Sequence, residues 1–373
     1  MRVVLIAGTK GKGSTAAFLA SILHVGGIRA GLFTSPHLQT YRERVRIDGA
    51  MLASADFGRA VDGLRPLVAR LKRLHPEAGE PTTFELTCLL ALRAFAEHGC
   101  TIAIVEVGLG GRLDATNALD PAISILTSVS YDHTAILGRT LAAIATEKAG
   151  ILRRERPTFV AEQRRAAASA IQRVGRKTGA DLVVVRPLDV HADLGLAGDH
   201  QRQNAALAMA AARSLGVSEA AIRSGVRTTS WPARFERIRG RPSIVLDGAH
   251  NGASAEALAR TLRHERGGRR LVLVVGINRD KDARAVLKPL VRIASAVIVT
   301  RSTSPRAAEP ADVVRGGARG TRIAITIAAT VPEALAAARA AAGPDGLVCV
   351  AGSLAVAAEA RTALGLVPAE RWW

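Results

Sequence analysis

The amino-acid sequence predicts an α/β protein of two domains, residues 1–230 and 231–373, the first a parallel sheet between helices and the second a smaller α/β domain. Three observations predict it. Short β-branched runs alternate with stretches of helical period, the first run ends in a glycine-rich turn that enters a helix, and Arg227-Thr228-Thr229-Ser230-Trp231-Pro232 gathers polar and turn residues between two such series.

In the first series, residues 2–7, 102–107, 123–129, 157–161 and 181–186 read as strands, and 13–25, 84–97, 140–149, 163–178 and 201–215 as helices. Continuous apolar runs between helices mark strands buried on both faces, the pattern of a parallel sheet. The interval 53–80 adds another helix and a loop ending near Pro81. In the second series, strands are expected near 243–247, 271–276, 296–300, 320–326 and 347–350, with apolar helices between them and a loop at Pro305-Arg306 and Pro310. There is no short repeat or low-complexity tail. The ending, Leu366-Val367 with Trp372-Trp373, either packs on a domain or frays.

Apolar content of 48% is ordinary, but aromatic residues make up only 3%, so Leu, Val, Ile and Ala must do most of the packing. The apolar runs are short and interrupted, and Met1 leads straight into a strand. No membrane span and no signal peptide are expected, which points to a cytoplasmic location. Cys88, Cys100 and Cys349 are far apart in apolar surroundings and read as buried structural thiols. A formal charge of +19 raises nucleic acid as a partner. The arginines are scattered, however, and lack the aromatic platforms that stack bases, so no specific nucleic-acid binding is expected, and the charge serves at most to attract anionic substrates.

The most informative stretch is Gly8-Thr9-Lys10-Gly11-Lys12-Gly13-Ser14-Thr15, directly after Val3–Ala7. A strand that ends in glycines and turns into a helix surrounds an anion with backbone N–H groups and sets a lysine beside it. ATP or GTP is the first candidate ligand. Lys12 would reach the β and γ phosphates, and Ser14 or Thr15 a phosphate oxygen or Mg2+. The apolar period of Ala16, Phe18, Leu19, Ile22 and Leu23 supplies the helix.

Further constellations follow in order. Thr34-Ser35-Pro36-His37-Leu38 offers a hydroxyl that either faces the phosphates or caps a turn. Glu106 is an acid inside the apolar strand Ile102–Val107, where burial demands a partner, either Mg2+ beside phosphates or an arginine. In Gly108–Asn117, Arg112 could clamp an anionic intermediate, and Asp114 could anchor the loop or orient substrate. His133, in Ser130–Thr134, reads as a metal ligand, a substrate contact or a structural helix start. Lys148 reads from composition as a solvated charge at a helix end, and Asp247 and His250, after a strand of the second domain, could meet nucleotide.

Taken together, Gly8–Thr15, Thr34–Leu38, Glu106–Asn117, Asp132-His133, Glu147–Ile151, His200–Ala205 and Asp247–Asn251 resemble folylpolyglutamate synthase and dihydrofolate synthase, within the ATP-dependent Mur-ligase-like amide ligases. The resemblance implies a central P-loop ATPase domain and a smaller Rossmann-like C-terminal domain that closes over ATP. It implies that Gly8, Thr9, Gly11, Lys12, Gly13, Ser14 and Thr15 bind ATP phosphates, and that Asn204, Arg234, Asp247 and His250 complete the nucleotide contacts. Lys12, Glu106, His133 and Lys148 are the implied catalytic set. Ser35, Glu106 and His133 are implied magnesium positions, and Lys148 is implied to be carbamylated by CO2 into a further metal ligand. Arg112, Asp114, Lys281 and Asp282 fall on the substrate side.

The sequence departs from the pattern twice. Ala233 stands where a glycine often precedes the matched arginine, which restricts the backbone before Arg234. The family usually carries a helical segment ahead of the phosphate-loop strand, whereas Met1 here immediately precedes it, so the expectation is either that such a segment has been lost from the chain or that the loop and the folate pocket are supported locally instead. The implied reaction is ATP-dependent addition of L-glutamate to dihydropteroate or a reduced folyl(poly)glutamate through an acyl phosphate, by a monomer. The alternatives are a Mur-type ligase with another carboxylate acceptor, and an inactive nucleotide-binding regulatory homologue.

Overall fold

Val4, Leu5, Ile6 and Ala7 are withdrawn from solvent, and so are Ile102–Val105 and Ile125–Leu126 beside them. This continuous apolar row is the centre of a sheet covered on both faces, seen in a computed structural model that describes residues 1–317 and 323–368. The chain divides into two compact units, one of Met1–Gly195 with His200–Ser230, the other of Leu196–Asp199 with Trp231 onward.

The first unit carries strands β1 (Arg2–Ala7), β2 (Ala30–Phe33), β3 (Val45–Ile47), β4 (Ala50–Met51), β5 (Ile102–Glu106), β6 (Ile123–Leu126), β7 (Pro157–Ala161) and β8 (Asp181–Val185). Among the described residues they form one sheet in the order β4-β3-β2-β5-β1-β6-β7-β8. The ladder is parallel from β2 to β8, and β3 and β4 extend it antiparallel as a hairpin. Helices α1 (Lys12–Val25), α2 (Ser54–Asp62), α3 (Arg65–Leu74), α4 (Thr83–Glu97), α5 (Thr134–Leu137), α6 (Leu141–Lys148), α7 (Arg165–Thr178), α8 (Asp199–Ser214) and α9 (Glu219–Thr228) accompany it. α1 lies against α9, where a side chain at Gly225 would meet the backbone of Ile22 at 2.5 Å, and Ser21 Oγ donates to the Gly225 carbonyl at 2.8 Å.

The second unit runs β9 (Glu236–Ile238), β10 (Ser243–Leu246), α10 (Gly252–Glu265), β11 (Leu271–Val275), α11 (Ala283–Val291), β12 (Ala296–Val299), α12 (Pro310–Gly317), β13 (Ala324–Ile327), α13 (Val331–Ala342), β14 (Leu347–Ala351) and α14 (Leu354–Ala363). Its described strands order as β13-β12-β11-β14-β10-β9, with β9 alone antiparallel. Leu273, Val275 and Cys349 face one apolar layer, with α10 and α11; Val272, Val274 and Val350 face the other, with α13. Alternate residues of one strand thus serve opposite cores.

Several expectations need correction. The interval 53–80 holds two helices, because Gly63 ends α2 and Pro66, lacking an N–H, sits in the first turn of α3. β8 is an edge strand with Val184 62% exposed, not a strand buried on both faces. The expected linker is partly helical, since α9 runs through Arg227 and Thr228. Strand 320–326 is described only from residue 323 and forms β13, and Trp372-Trp373 lies outside the described residues. The three cysteines are free and buried, and burial pushes the Cys88 thiol up to about 12.

Candidate functional site

The residue row Ile6↔Glu106 of the β1–β5 ladder places Glu106 beside the end of β1, where the chain enters the glycine-rich turn. In an open parallel sheet this carboxyl edge, where neighbouring strands lead their connections apart, is the natural ligand crevice. Gly8 and Gly11 take φ of +146° and +90°. A Cβ at Gly8 would stand 1.8 Å from Thr127 Oγ1, and one at Gly11 would stand 2.2 Å from Asn204 Oδ1. Both positions therefore require glycine on conformation and on space.

The turn is held from outside. Thr9 N–H donates to the Ser128 carbonyl at 2.9 Å, and Thr9 Oγ1 joins the Ser130 backbone at 3.1 Å in both directions. α1 then starts at Lys12 with Gly11 as N-cap and no side-chain cap, so its first N–H groups point out of the helix without a side-chain acceptor. Thr15 Oγ1 is buried and has no hydrogen-bond partner among the described residues. Ser14 Oγ lies 3.4 Å from Gln201 Nε2, and Gln201 Oε1 accepts from Asn204 Nδ2 at 2.9 Å. Asn204 thus reaches the turn from α8, a placement that a sequence separation of nearly two hundred residues conceals.

Three charged groups converge here. Lys148 Nζ donates to the Gly8 carbonyl at 3.0 Å, Lys12 Nζ donates to the same oxygen at 3.4 Å, and Lys12 lies 3.8 Å from Glu106. Ser35 N–H donates to Glu106 at 3.3 Å. Lys148 is 4% exposed, which corrects its reading as a solvated helix-end charge. Burial and the neighbouring Lys12 ammonium lower its pKa to about 8, against the opposing pull of Asp132 and Asp114.

The flanking loops are fixed by their own residues. Asp114 accepts from Leu109 N–H, Thr116 N–H and Thr116 Oγ1 at 2.8, 3.0 and 2.6 Å, so it anchors the glycine loop. Arg112 is engaged by Glu147 at 3.0 Å instead of projecting unpaired over the site. His133 is exposed, takes φ of +48° at the start of α5, and has its ring 3.8 Å from Asp132. Glu43, which sequence reasoning missed, is buried and gathers the backbone N–H groups of Leu38, Gln39 and Thr40 at 2.8–2.9 Å, shaping the segment after Ser35. Its signal was local: an acid three residues after Thr40 completes a capping box.

In the second unit, Asp247 is partly buried and accepts from Phe235 N–H and Ala249 N–H, each at 2.8 Å. Burial pushes its carboxyl up, against the pull of Arg234 and those two donors. Ala233 takes φ of +53° with its methyl fully buried, adopting the left-handed conformation that glycine favours. A side chain at Gly248 would meet Arg234 at 2.6 Å. His250 Nδ1 lies 2.8 Å from the Gly248 carbonyl, an acceptor only, so that nitrogen carries the proton. Lys281 pairs with Asp280 at 2.9 Å, and Asp282 caps α11 through Ala285 N–H at 3.0 Å.

The residues around the turn fit a nucleoside triphosphate with Mg2+. Two obligatory glycines, an uncapped helix start, an orphaned buried hydroxyl and two lysines make a phosphate cradle. No group of three His, Cys, Asp or Glu among the described residues would hold a metal alone. Mg2+ suits this, since it takes one or two carboxylates and completes its shell with phosphate oxygens and water.

Comparison with known proteins agrees with this architecture. Residues 6–185 match the Mur ligase middle domain, and residues 233–354 match the Mur ligase glutamate ligase domain. The chain is 34% identical over 343 residues to a dihydrofolate synthase/folylpolyglutamate synthase of Bacillus subtilis, covering 84% of this chain and 79% of that one. It is 37% identical over 387 residues to a probable bifunctional folylpolyglutamate synthase/dihydropteroate synthase of Halobacterium salinarum, covering 96% of this chain but only 46% of that longer one. Mycobacterium tuberculosis folylpolyglutamate synthase complexed with ADP superposes with a TM-score of 0.91 at 30% identity, covering 98% of this chain and 91% of that one. A bifunctional folylpolyglutamate synthase/dihydrofolate synthase with Mn, AMPPNP and L-glutamate bound superposes with a TM-score of 0.84 at 30% identity, covering 98% and 90%.

Proposed function

The chain belongs to the Mur ligase family, in its folylpolyglutamate synthase/dihydrofolate synthase branch, and from that premise we propose that it adds L-glutamate to dihydropteroate or to a reduced folyl(poly)glutamate using ATP. One observation carries the reading: the Lys12 and Lys148 ammonium groups meet at the Gly8 carbonyl with Glu106 beside Lys12. Lys12 supplies the cation that a transferring phosphoryl group needs at the end of a phosphate-binding turn, and Glu106 and Lys148 stand beside it where the metal side of the site would be.

In this reading the acceptor carboxylate attacks the γ-phosphorus, the bond to the bridging oxygen breaks, and ADP leaves an acyl phosphate. The glutamate amine then attacks the acyl carbon, phosphate departs, and the amine proton is lost as the amide forms. Gly8, Thr9, Gly11, Gly13, Ser14 and Thr15 hold the phosphates, while Lys12 offsets their charge during transfer. Asn204, Arg234, Asp247 and His250 contribute nucleotide contacts, and Arg112, Asp114, Lys281 and Asp282 lie on the substrate side. Asp114 does its part by fixing the loop, and Arg112 must leave or share Glu147 to reach an anion.

Ser35, Glu106, His133 and Lys148 would hold the metal. Mg2+, when bound, supplies charge neutralisation on the phosphates. Lys148 fits carbamylation, because an amine with a pKa near 8 is about one-tenth unprotonated at neutral pH. The free amine attacks CO2, one proton is released, and the product is an anionic carbamate where an ammonium stood.

The test is a panel of ATP, Mg2+ and L-glutamate with dihydropteroate, a reduced monoglutamyl folate, or no acceptor, read by ADP release and product mass. A mass gain of one glutamyl residue on either acceptor is expected. ADP release without a glutamylated product for every acceptor overturns the reading.

A further inference from the structure

α10 and α11 lie side by side on one face of the second unit's sheet. A Cβ on Gly252, at the start of α10, would stand 3.1 Å from the Ala285 methyl, so the bare glycine lets the two helices close up at that end. Between them runs a groove of about 540 Å3. Arg260 and Arg263 of α10 line it, with Arg284 and Lys288 of α11 and Arg292 just beyond. All five side chains are exposed, and none makes a hydrogen bond or ion pair with another described residue. Two acids, Glu256 and Asp282, share the lining, and the Asp282 carboxylate is occupied as the α11 cap.

Exposed arginines without a partner also occur elsewhere in this unit, at Arg239, Arg270 and Arg339; what sets these five cations apart is that they gather in one concavity. Elsewhere in the same unit Arg237 pairs with Glu265 at 2.9 Å, Arg241 with Asp345 at 2.7 Å and Arg306 with Asp280 at 3.2 Å, and Arg301 and Arg315 pair with Glu309 and Asp312. With five cations against the two carboxylates of Glu256 and Asp282, the groove carries a net positive charge that concentrates the field and attracts anions.

The cations also have a spacing. Arg284, Lys288 and Arg292 recur every four residues, which on a helix is a rise of roughly 6 Å. An extended α-linked peptide advances about 3.5 Å per residue, and the two extra methylenes of a γ-linked glutamate lengthen the repeat to roughly 6 Å. One carboxylate per repeat then meets one cation per helical step. The absence of an aromatic side chain from the lining argues against single-stranded nucleic acid, which needs stacking platforms. The groove opens at Gly252 and Asp282, directly after the Asp247–Asn251 and Lys281 segments.

We propose that this groove binds the oligo-γ-glutamate tail of the acceptor and product, and so favours acceptors that already carry several glutamates. The identity of the ligand rests on the ligase reading above; the polycarboxylate chemistry of the groove does not.

The test uses the full chain and free γ-pentaglutamate, titrated by calorimetry beside monomeric glutamate and an oligouridylate of equal charge. The triple variant Arg263→Gln/Lys288→Gln/Arg292→Gln changes exposed positions at the end of the groove away from Gly252, and Arg263→Lys/Arg292→Lys keeps the charge. Expected are binding of pentaglutamate at least about tenfold tighter than glutamate, a loss of about tenfold in the triple variant, and retention in the lysine variant. KM for a tetraglutamyl acceptor should rise to match, with kcat and the monoglutamyl KM unchanged. Equal binding by wild type and triple variant, or tighter binding of the oligouridylate, overturns the proposal. If pentaglutamate binds in a variant-sensitive way while no acceptor is glutamylated, the groove stands and the ligase reading falls. If acceptors are glutamylated and pentaglutamate does not bind, the groove falls alone.

Discussion

Lys148 shows how one side chain's surroundings set its chemistry. Its proton is held less tightly in the fold, at about 8, than at the ordinary 10.5, so the unfolded chain binds more protons between those values. Folding stability should therefore rise with pH across that window, by up to about 3 kcal/mol, while below about pH 8 the full penalty of burying the charge is present. Denaturant midpoints measured in CO2-free buffer, where the amine is unmodified, near pH 7.5 and 9.5 should show this slope in wild type and lose it in Lys148→Met. Carbon-13 bicarbonate should label a carbamate in wild type near pH 8.5, and not in Lys148→Arg; labelling equal in both would exclude Lys148 as its site. At Ala233 the fold holds a non-glycine residue at φ of +53°. Ala233→Gly relieves about 1–2 kcal/mol of left-handed strain, but loses roughly 0.5–1 kcal/mol in backbone entropy and about 0.8 kcal/mol of buried methyl. A melting temperature close to wild type is expected, whereas Ala233→Val, with a branched carbon, should destabilise by about 2 kcal/mol or more.

The elements around the phosphate turn depend on a few polar anchors. Asp114 holds the glycine loop through Leu109 and Thr116, and Glu43 holds the segment after Ser35 through three successive N–H groups. Removing a carboxylate that satisfies several donors leaves them to compete for water. Asp114→Ala should cost about 1–3 kcal/mol and speed hydrogen exchange at Leu109 and Thr116, with Asp114→Asn intermediate. Unchanged exchange at both amides would show that the loop is held by other contacts, such as Asn117 Nδ2 to the Arg112 carbonyl at 2.9 Å. At this scale the sequence was legible where apolar period was strong, as in β1, β5, β11 and α1. It was least legible at β3 and β4, only three and two residues long, which pair as a hairpin through contacts that no local pattern announces.

For the whole molecule, nucleotide binding should appear as stability. ADP with Mg2+ at about a hundredfold its dissociation constant should add about 2.7 kcal/mol, several degrees in melting temperature. Lys12→Ala should lose that shift and lower turnover by roughly 10²–10³-fold while keeping a near-native melting temperature without ligand, because Lys12 is a site residue and not part of either core. A retained ADP shift in that variant would remove Lys12 from the phosphate site. By itself the sequence determined the alternation of strand and helix, the glycine turn after β1 and the acid at the end of β5, because each is written in neighbouring residues as period, backbone freedom or a charge out of place. Only the tertiary structure decided that Lys148 is buried on the Gly8 carbonyl, that Asn204 closes on Gly11, that Glu147 engages Arg112, and that five arginines and lysines stand unpaired along α10 and α11. The physical reason is common to all four: burial, ion pairing and the absence of a partner are properties of three-dimensional neighbours, and those neighbours are set by how the sheet orders its strands.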